Sequence, residues 1–184
     1  MERLGAGEVI IGDGGYIYTL ERRGYATAGM WTPESAAEHP EAVEQLGIEF
    51  ARAGADITQT FSFWCHEDKL PKGCKFSVDQ INQAACDIAA KVSKAKGSIM
   101  IAGVTQTGLF QGDGPKPSKE VVQQELRDAL AIYKSNSIEV VLVEVNKSSF
   151  IMVWFTVHLQ HLVNLYKCAW HSGGVNFCAC CLKG

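Results

Sequence analysis

The chain predicts an α/β fold of βαβ units on a parallel sheet, and three observations carry that prediction. Short apolar runs rich in β-branched residues begin near Glu8, Ala55, Ser98 and Ile138. Between them lie segments whose apolar residues recur every three to four positions, the period of an amphipathic helix. Successive strand starts are roughly forty residues apart, and a strand–helix–strand connection within one sheet is right-handed and leaves the strands parallel.

The first strand, Glu8 to Gly12, runs into Asp13-Gly14-Gly15. Alone, Gly-Asp-Gly-Gly is the sequence of a tight turn. At the end of a strand it also puts a carboxylate and two glycines where α/β folds collect ligand-binding groups. Pro40 suits the first turn of the next element, a helix with Val43, Leu46, Phe50 and Ala53 on its buried stripe and Gly54 as its stop. The second strand follows from Ala55 to Phe61. Ser77 caps a second helix with Val78, Ile81, Ala85, Ile88 and Val92 facing inward and Gly97 at its end. The third strand spans Ser98 to Val104, and a loop-like tract rich in Gly and Pro covers Gly108 to Pro117. Ser118 caps a third helix, with Val122, Leu126, Ala129 and Tyr133 inward, and the fourth strand runs from Ile138 to Val145.

Near Lys147 the composition changes. Ser148 to Gly184 contains no Asp or Glu and only Lys167 and Lys183 as cations, yet holds four of the seven Cys and three of the five His. Residues 1–147 are therefore read as one unit and 148–184 as a divergent apolar, Cys-rich tail. The stretch from Phe150 toward Trp170 is interrupted by His158, Gln160, His161 and Asn164, which leaves it short of a membrane span of about 20 apolar residues. Helical core or interface material is the expectation there.

The net charge of −3, with no cluster of Lys and Arg, argues against nucleic acid or an anionic membrane as partner. Met1 to Gly12 lacks the basic start and apolar core of a secretion signal, so the cysteines are expected to be reduced thiols in a cytoplasmic protein.

Several motifs share one family's order and approximate spacing. They are Gly12-Asp13-Gly14-Gly15, Trp31-Thr32-Pro33-Glu34, Glu38-His39-Pro40-Glu41-Ala42-Val43, Gln59-Thr60-Phe61, Glu67-Asp68-Lys69, Asn82-Gln83-Ala84-Ala85-Cys86-Asp87-Ile88-Ala89 and Gly103-Val104-Thr105-Gln106-Thr107. From residue 2 to about residue 144 the chain resembles the betaine-homocysteine S-methyltransferases of the homocysteine-binding family. The resemblance implies a (β/α) TIM-type barrel, of which about the first four strands and three helices are visible. At 184 residues the chain is short for such a barrel, which typically needs ~250.

The resemblance implies homocysteine and betaine as substrates and methyl transfer as the reaction. Asp13 and Glu144, at the ends of the first and fourth strands, would hold the ammonium of homocysteine through charge-assisted hydrogen bonds. Gly14, Gly15 and Thr60 would meet its carboxylate. Aromatic faces attract a quaternary ammonium, and Trp31 matches the family's betaine-contacting tryptophan. Trp64 stands where the family usually has tyrosine, and Val145 replaces a further aromatic residue.

The resemblance also implies zinc, which deprotonates a thiol by coordination, held by three cysteines on late barrel strands. Cys65, Cys74 and Cys86 match none of them, and Cys178, Cys180 and Cys181 lie too close together to stand for ligands from separate strands. The zinc ligands are thus expected to be absent. The chain is expected to be a truncated, catalytically impaired form that binds substrate weakly, self-associates or joins full-length subunits.

Overall fold

The computed structural model describes residues 3, 6–27, 32–67, 69–105, 119–138, 140–145, 165–171 and 176–182. Its helices are α1 (Tyr16–Arg22), α2 (Ser35–Glu38), α3 (Pro40–Arg52), α4 (Val78–Lys96) and α5 (Lys119–Ser135). Its strands are β1 (Ile57–Gln59), β2 (Ile99–Thr105), β3 (Val140–Val145), β4 (Leu165–His171) and β5 (Asn176–Leu182).

Local chemistry sets the helix ends. Pro40 opens α3, because a first-turn residue has no intrahelical partner for an amide hydrogen. Val43 and Leu46 are buried and Phe50 packs against the core, whereas Ala53 is the exposed C-cap and lies off the expected stripe. Gly54 follows with φ +108°. Ser77 and Gln80 close a capping box on α4: the Ser77 amide donates to Gln80 Oε1 at 2.9 Å, and the Gln80 amide donates to Ser77 Oγ at 3.2 Å. Gly97 ends α4 with φ +72°, a left-handed conformation that costs glycine little. In α5, Tyr133 is buried and Ala129 half-buried, while Ser118 and the side chains of Val122 and Leu126 lie outside the described residues.

Both described βαβ units bring their strands together in parallel. β1 pairs β2 with Ile57 opposite Ile99, and β2 pairs β3 with Thr105 opposite Glu144. The C-terminal ends of all three strands therefore share one rim. α3 and α4 cover the core beside this sheet, where Leu20, Val43, Leu46, Phe61, Ile81, Ala85, Ile88 and Val92 form one cluster. The architecture is mixed α/β with a small parallel sheet.

Three elements differ from the sequence reading. The run from Glu8 to Gly12 does not form a strand: the carbonyl of Ile11 accepts from the Asp56 and Ile57 amides at 2.8 and 3.2 Å, and the ladder goes no further. A strand needs a partner along its length, and Val9 and Ile11 remain 84% and 56% exposed. Secondly, α1 and the one-turn α2 were not anticipated, being too short to show a period. Thirdly, Leu165 to Trp170 belongs to a strand and not a helix. β4 and β5 form an antiparallel pair, and β5 runs antiparallel along β3 to give the order β1-β2-β3-β5-β4. Cross-strand pairing with β5 supplies the backbone partners that decided this segment.

Candidate functional site

The site begins with a brace at the start of β1. Arg3 donates to Glu8 at 2.7 Å and to Asp56 Oδ1 at 2.8 Å, and the Ile11 amide donates to Asp56 Oδ2 at 3.0 Å. The segment ahead of Asp13 is thereby tied to β1, and Asp13 Oδ2 accepts the Gln59 amide at 2.9 Å. Gln59 is the last residue of β1, and Thr60 follows it with its amide on the Ile101 carbonyl at 2.9 Å. Asp13 and Thr60 thus meet at one strand end.

Burial pushes the Asp13 carboxyl up to about 6, against the opposing pull of the Gln59 amide, its own amide and the Tyr16 hydroxyl. The same burial, with the Asp13 charge beside it, raises the Tyr16 phenol above its ordinary range and keeps it a donor. Tyr16 is held in turn by an edge-to-face contact with Phe50, centroids 5.1 Å apart, and by stacking on Phe61 at 5.3 Å. Gly14 is needed for this approach, since a Cβ there would stand 2.4 Å from Phe50 Cε1. Gly15 is the N-cap of α1, and its carbonyl accepts from the Thr19 hydroxyl at 2.9 Å.

Thr60 is buried, with its Oγ1 2.9 Å from Ser62 Oγ. The Tyr133 hydroxyl lies 3.1 Å from that same Ser62 oxygen and donates to the Gly103 carbonyl at 3.1 Å. Burial raises Tyr133 above the phenol range, so it too stays protonated. Tyr16, Ser62 and Tyr133 were missed as polar groups, although Tyr133 was placed inward. A usable signal existed, because a buried tyrosine hydroxyl almost always has a partner.

Trp64 is 1% exposed and sits at φ +57°, a conformation that costs a non-glycine residue on the order of 1–2 kcal/mol. The Lys69 ammonium lies 5.4 Å from its ring centroid, so the π face already attracts a cation. Trp31 lies outside the described residues. Glu144 stands on β3 opposite Thr105 of β2 and Phe177 of β5, near the shared rim, and its side chain is outside the description.

No group of three or more His, Cys, Asp or Glu is gathered among the described residues in a way that could hold a metal. Burial pushes the Cys65 and Cys86 thiols up to about 12, which disfavours the thiolate that zinc binds. No helix among the described residues is long and apolar enough to cross a membrane.

Comparison with known proteins matches the sequence to a family. The family model described as Homocysteine S-methyltransferase matches residues 10–153. Betaine–homocysteine S-methyltransferase 1 of Danio rerio is 45% identical over 147 residues, covering 78% of this chain and 36% of that protein. Its counterpart in Sus scrofa is 42% identical over 149 residues, with 78% and 52% covered. That of Xenopus tropicalis is 51% identical over 115 residues, with 60% and 28% covered. The chain therefore spans between about a quarter and a half of the length of these relatives.

Proposed function

The chain belongs to the homocysteine S-methyltransferase family, and on that premise we propose that it binds the amino-acid end of homocysteine at the C-terminal rim of its parallel strands. The larger unit is then a (β/α) TIM-type barrel that transfers a methyl group from betaine to homocysteine to give methionine. The observation that carries this reading is the partly buried Asp13 carboxylate, fixed by the Gln59 amide beside Thr60. A carboxylate held in place at a strand end is ready to receive an ammonium.

In this reading Asp13 and Glu144 take the ammonium of homocysteine, and Gly14, Gly15 and Thr60 take its carboxylate. Either oxygen of the Thr60–Ser62 pair can donate. When Ser62 donates to Thr60, the Thr60 proton is left for the ligand carboxylate, while Tyr133 keeps its own proton on the Gly103 carbonyl. Trp31 and Trp64 would face the trimethylammonium of betaine, which would take the place over Trp64 that Lys69 holds. Zinc, which the family resemblance implies, would hold the homocysteine sulfur as a thiolate. The described residues do not provide its ligands, so no step of thiol activation is assigned to them.

A second reading is favoured by one observation. β5 lies antiparallel along the outer edge of β3, where the next parallel strand of a barrel would pair. With that edge occupied, the chain would act as a non-catalytic form that binds homocysteine weakly or associates with full-length subunits. Titration calorimetry with homocysteine, with and without a chelator, combined with a labelled-betaine assay, separates the two. The non-catalytic reading expects weak, chelator-insensitive binding and no labelled methionine above a no-protein control. Tight, chelator-sensitive binding with turnover would overturn it in favour of a complete site, and no binding at all would remove both.

A further inference from the structure

Four of the seven cysteines lie on β4 and β5, and the register singles out two. Cys168 of β4 stands directly opposite Cys180 of β5, with Ala169 opposite Ala179 and Trp170 opposite Cys178. Directly opposed residues of an antiparallel pair share a face of the sheet, with Cα atoms about 4.5–5.5 Å apart. A disulfide spans roughly 4.4–6.8 Å between Cα atoms. We propose that Cys168 and Cys180 form a reversible cross-strand disulfide, a redox modification site on the hairpin that lines the edge of β3.

Four of the other five cysteines are worse placed, and Cys74 follows β1, far along the chain from β4 and β5. Cys178 shares the face of Cys180, but two residues along an extended strand separate Cα atoms by about 6.6 Å, near the limit of the bond. Its diagonal distance to Cys168 is greater, about 7–8 Å. Cys181 alternates to the opposite face. Cys65 and Cys86 are buried with thiols pushed up to about 12, which leaves little nucleophilic thiolate.

The oxidant is a low-molecular-weight disulfide. The thiolate of one cysteine attacks one sulfur of that molecule, releases its other half as a thiolate and forms a mixed disulfide. The thiolate of the second cysteine then displaces the remaining half. Two electrons pass to the oxidant, and the two protons lost by the cysteines match those taken up by the two released thiols. The product ties β4 to β5 across residues 172–175, so redox state would govern how firmly the hairpin is held against β3.

The test uses the whole chain equilibrated with oxidised glutathione, alkylated, and digested without reduction. Cleavage after Trp170 and Phe177 puts Cys168 on one peptide and Cys178, Cys180 and Cys181 on another. The expected product is an intramolecular cross-link between these peptides that disappears on reduction. It should be lost in Cys168→Ser and Cys180→Ser and retained in Cys178→Ser and Cys181→Ser. Full alkylation of all four thiols after oxidation would overturn the proposal. So would a link that survives Cys180→Ser, or one that joins two chains in a mixture of isotopically light and heavy protein.

Discussion

Asp13 illustrates how one residue's burial trades stability against binding. Its carboxyl is raised from an ordinary 3.8 to about 6, so between those values the folded chain keeps a proton that the unfolded chain has released. The stability contributed by this group is complete below pH 3.8 and is lost as pH rises through about 6. Asp13→Asn removes that loss, and we expect it to stabilise the fold by about 1–2 kcal/mol at pH 7 with little change near pH 3.5, discounting for partial exposure. Denaturant melts at the two pH values check this. Homocysteine binding should move the other way, falling as pH drops below about 6 and weakening at least about tenfold in Asp13→Asn, the scale of a charge-assisted hydrogen bond. Unchanged affinity in that variant would remove Asp13 from the site. Gly14→Ala should destabilise by about 1–3 kcal/mol, because its Cβ would meet Phe50 at 2.4 Å and disturb the Tyr16–Phe50 contact. An unfolding midpoint equal to the parent's would show that Phe50 gives way freely. Asp13 is read from the sequence as the end of a strand that does not form, and the Gln59 amide at the end of β1 is what fixes it. Its partner Tyr16 was not legible, because a hydroxyl's hydrogen bond depends on where the first turn of α1 points.

At the scale of elements, the legible features are those whose causes are local. Both ends of α4 could be read from Ser77 and Gly97, because capping boxes and left-handed C-caps are decided within four residues. Ser77→Ala should cost about 1 kcal/mol in a denaturant titration, and restoring the hydroxyl with Ser77→Thr should recover most of it. A loss no larger than a few tenths would mean that packing of Ile81, Ala85 and Ile88 alone holds the first turn. The β1–α4–β2 and β2–α5–β3 units were equally legible from apolar spacing. The run from Glu8 to Gly12 looked just as strand-like, yet Ile11 meets the backbone only at Asp56 and Ile57, while the Glu8 amide turns back to the Arg3 carbonyl. Strand formation needs a neighbour, and that neighbour is not encoded within the run itself. Leu165 to His171 failed in the opposite sense, since its pairing with residues 176–182 across a short connection decided its conformation.

At the scale of the whole molecule, the sheet has two edges among the described residues, and both are poorly guarded. β5 protects the outer edge of β3 and hands the edge to β4. Leu165 to His171 carries one Lys and no acidic residue, so few charges blunt it against pairing with another chain. On the other side β1 is only three residues long, and beyond Ile11 it has little backbone cover, with Val9 and Ile11 exposed alongside. Native sheets avoid such exposed apolar edges because they template association. The net charge of −3 offers only weak electrostatic repulsion between copies. We therefore expect the chain to self-associate, or to depend on a larger family member for solubility, at micromolar concentration. Size-exclusion chromatography with light scattering should show species heavier than a monomer. Val9→Lys, at a position 84% exposed, should shift the distribution toward monomer while changing stability by no more than about 0.5 kcal/mol. If association runs through the β4 edge instead, Val9→Lys will leave the masses unchanged and Trp170→Lys will reduce them. A sharp monomer peak with a single cooperative thermal transition in the parent would show that both edges are covered, and would defeat the argument from open edges.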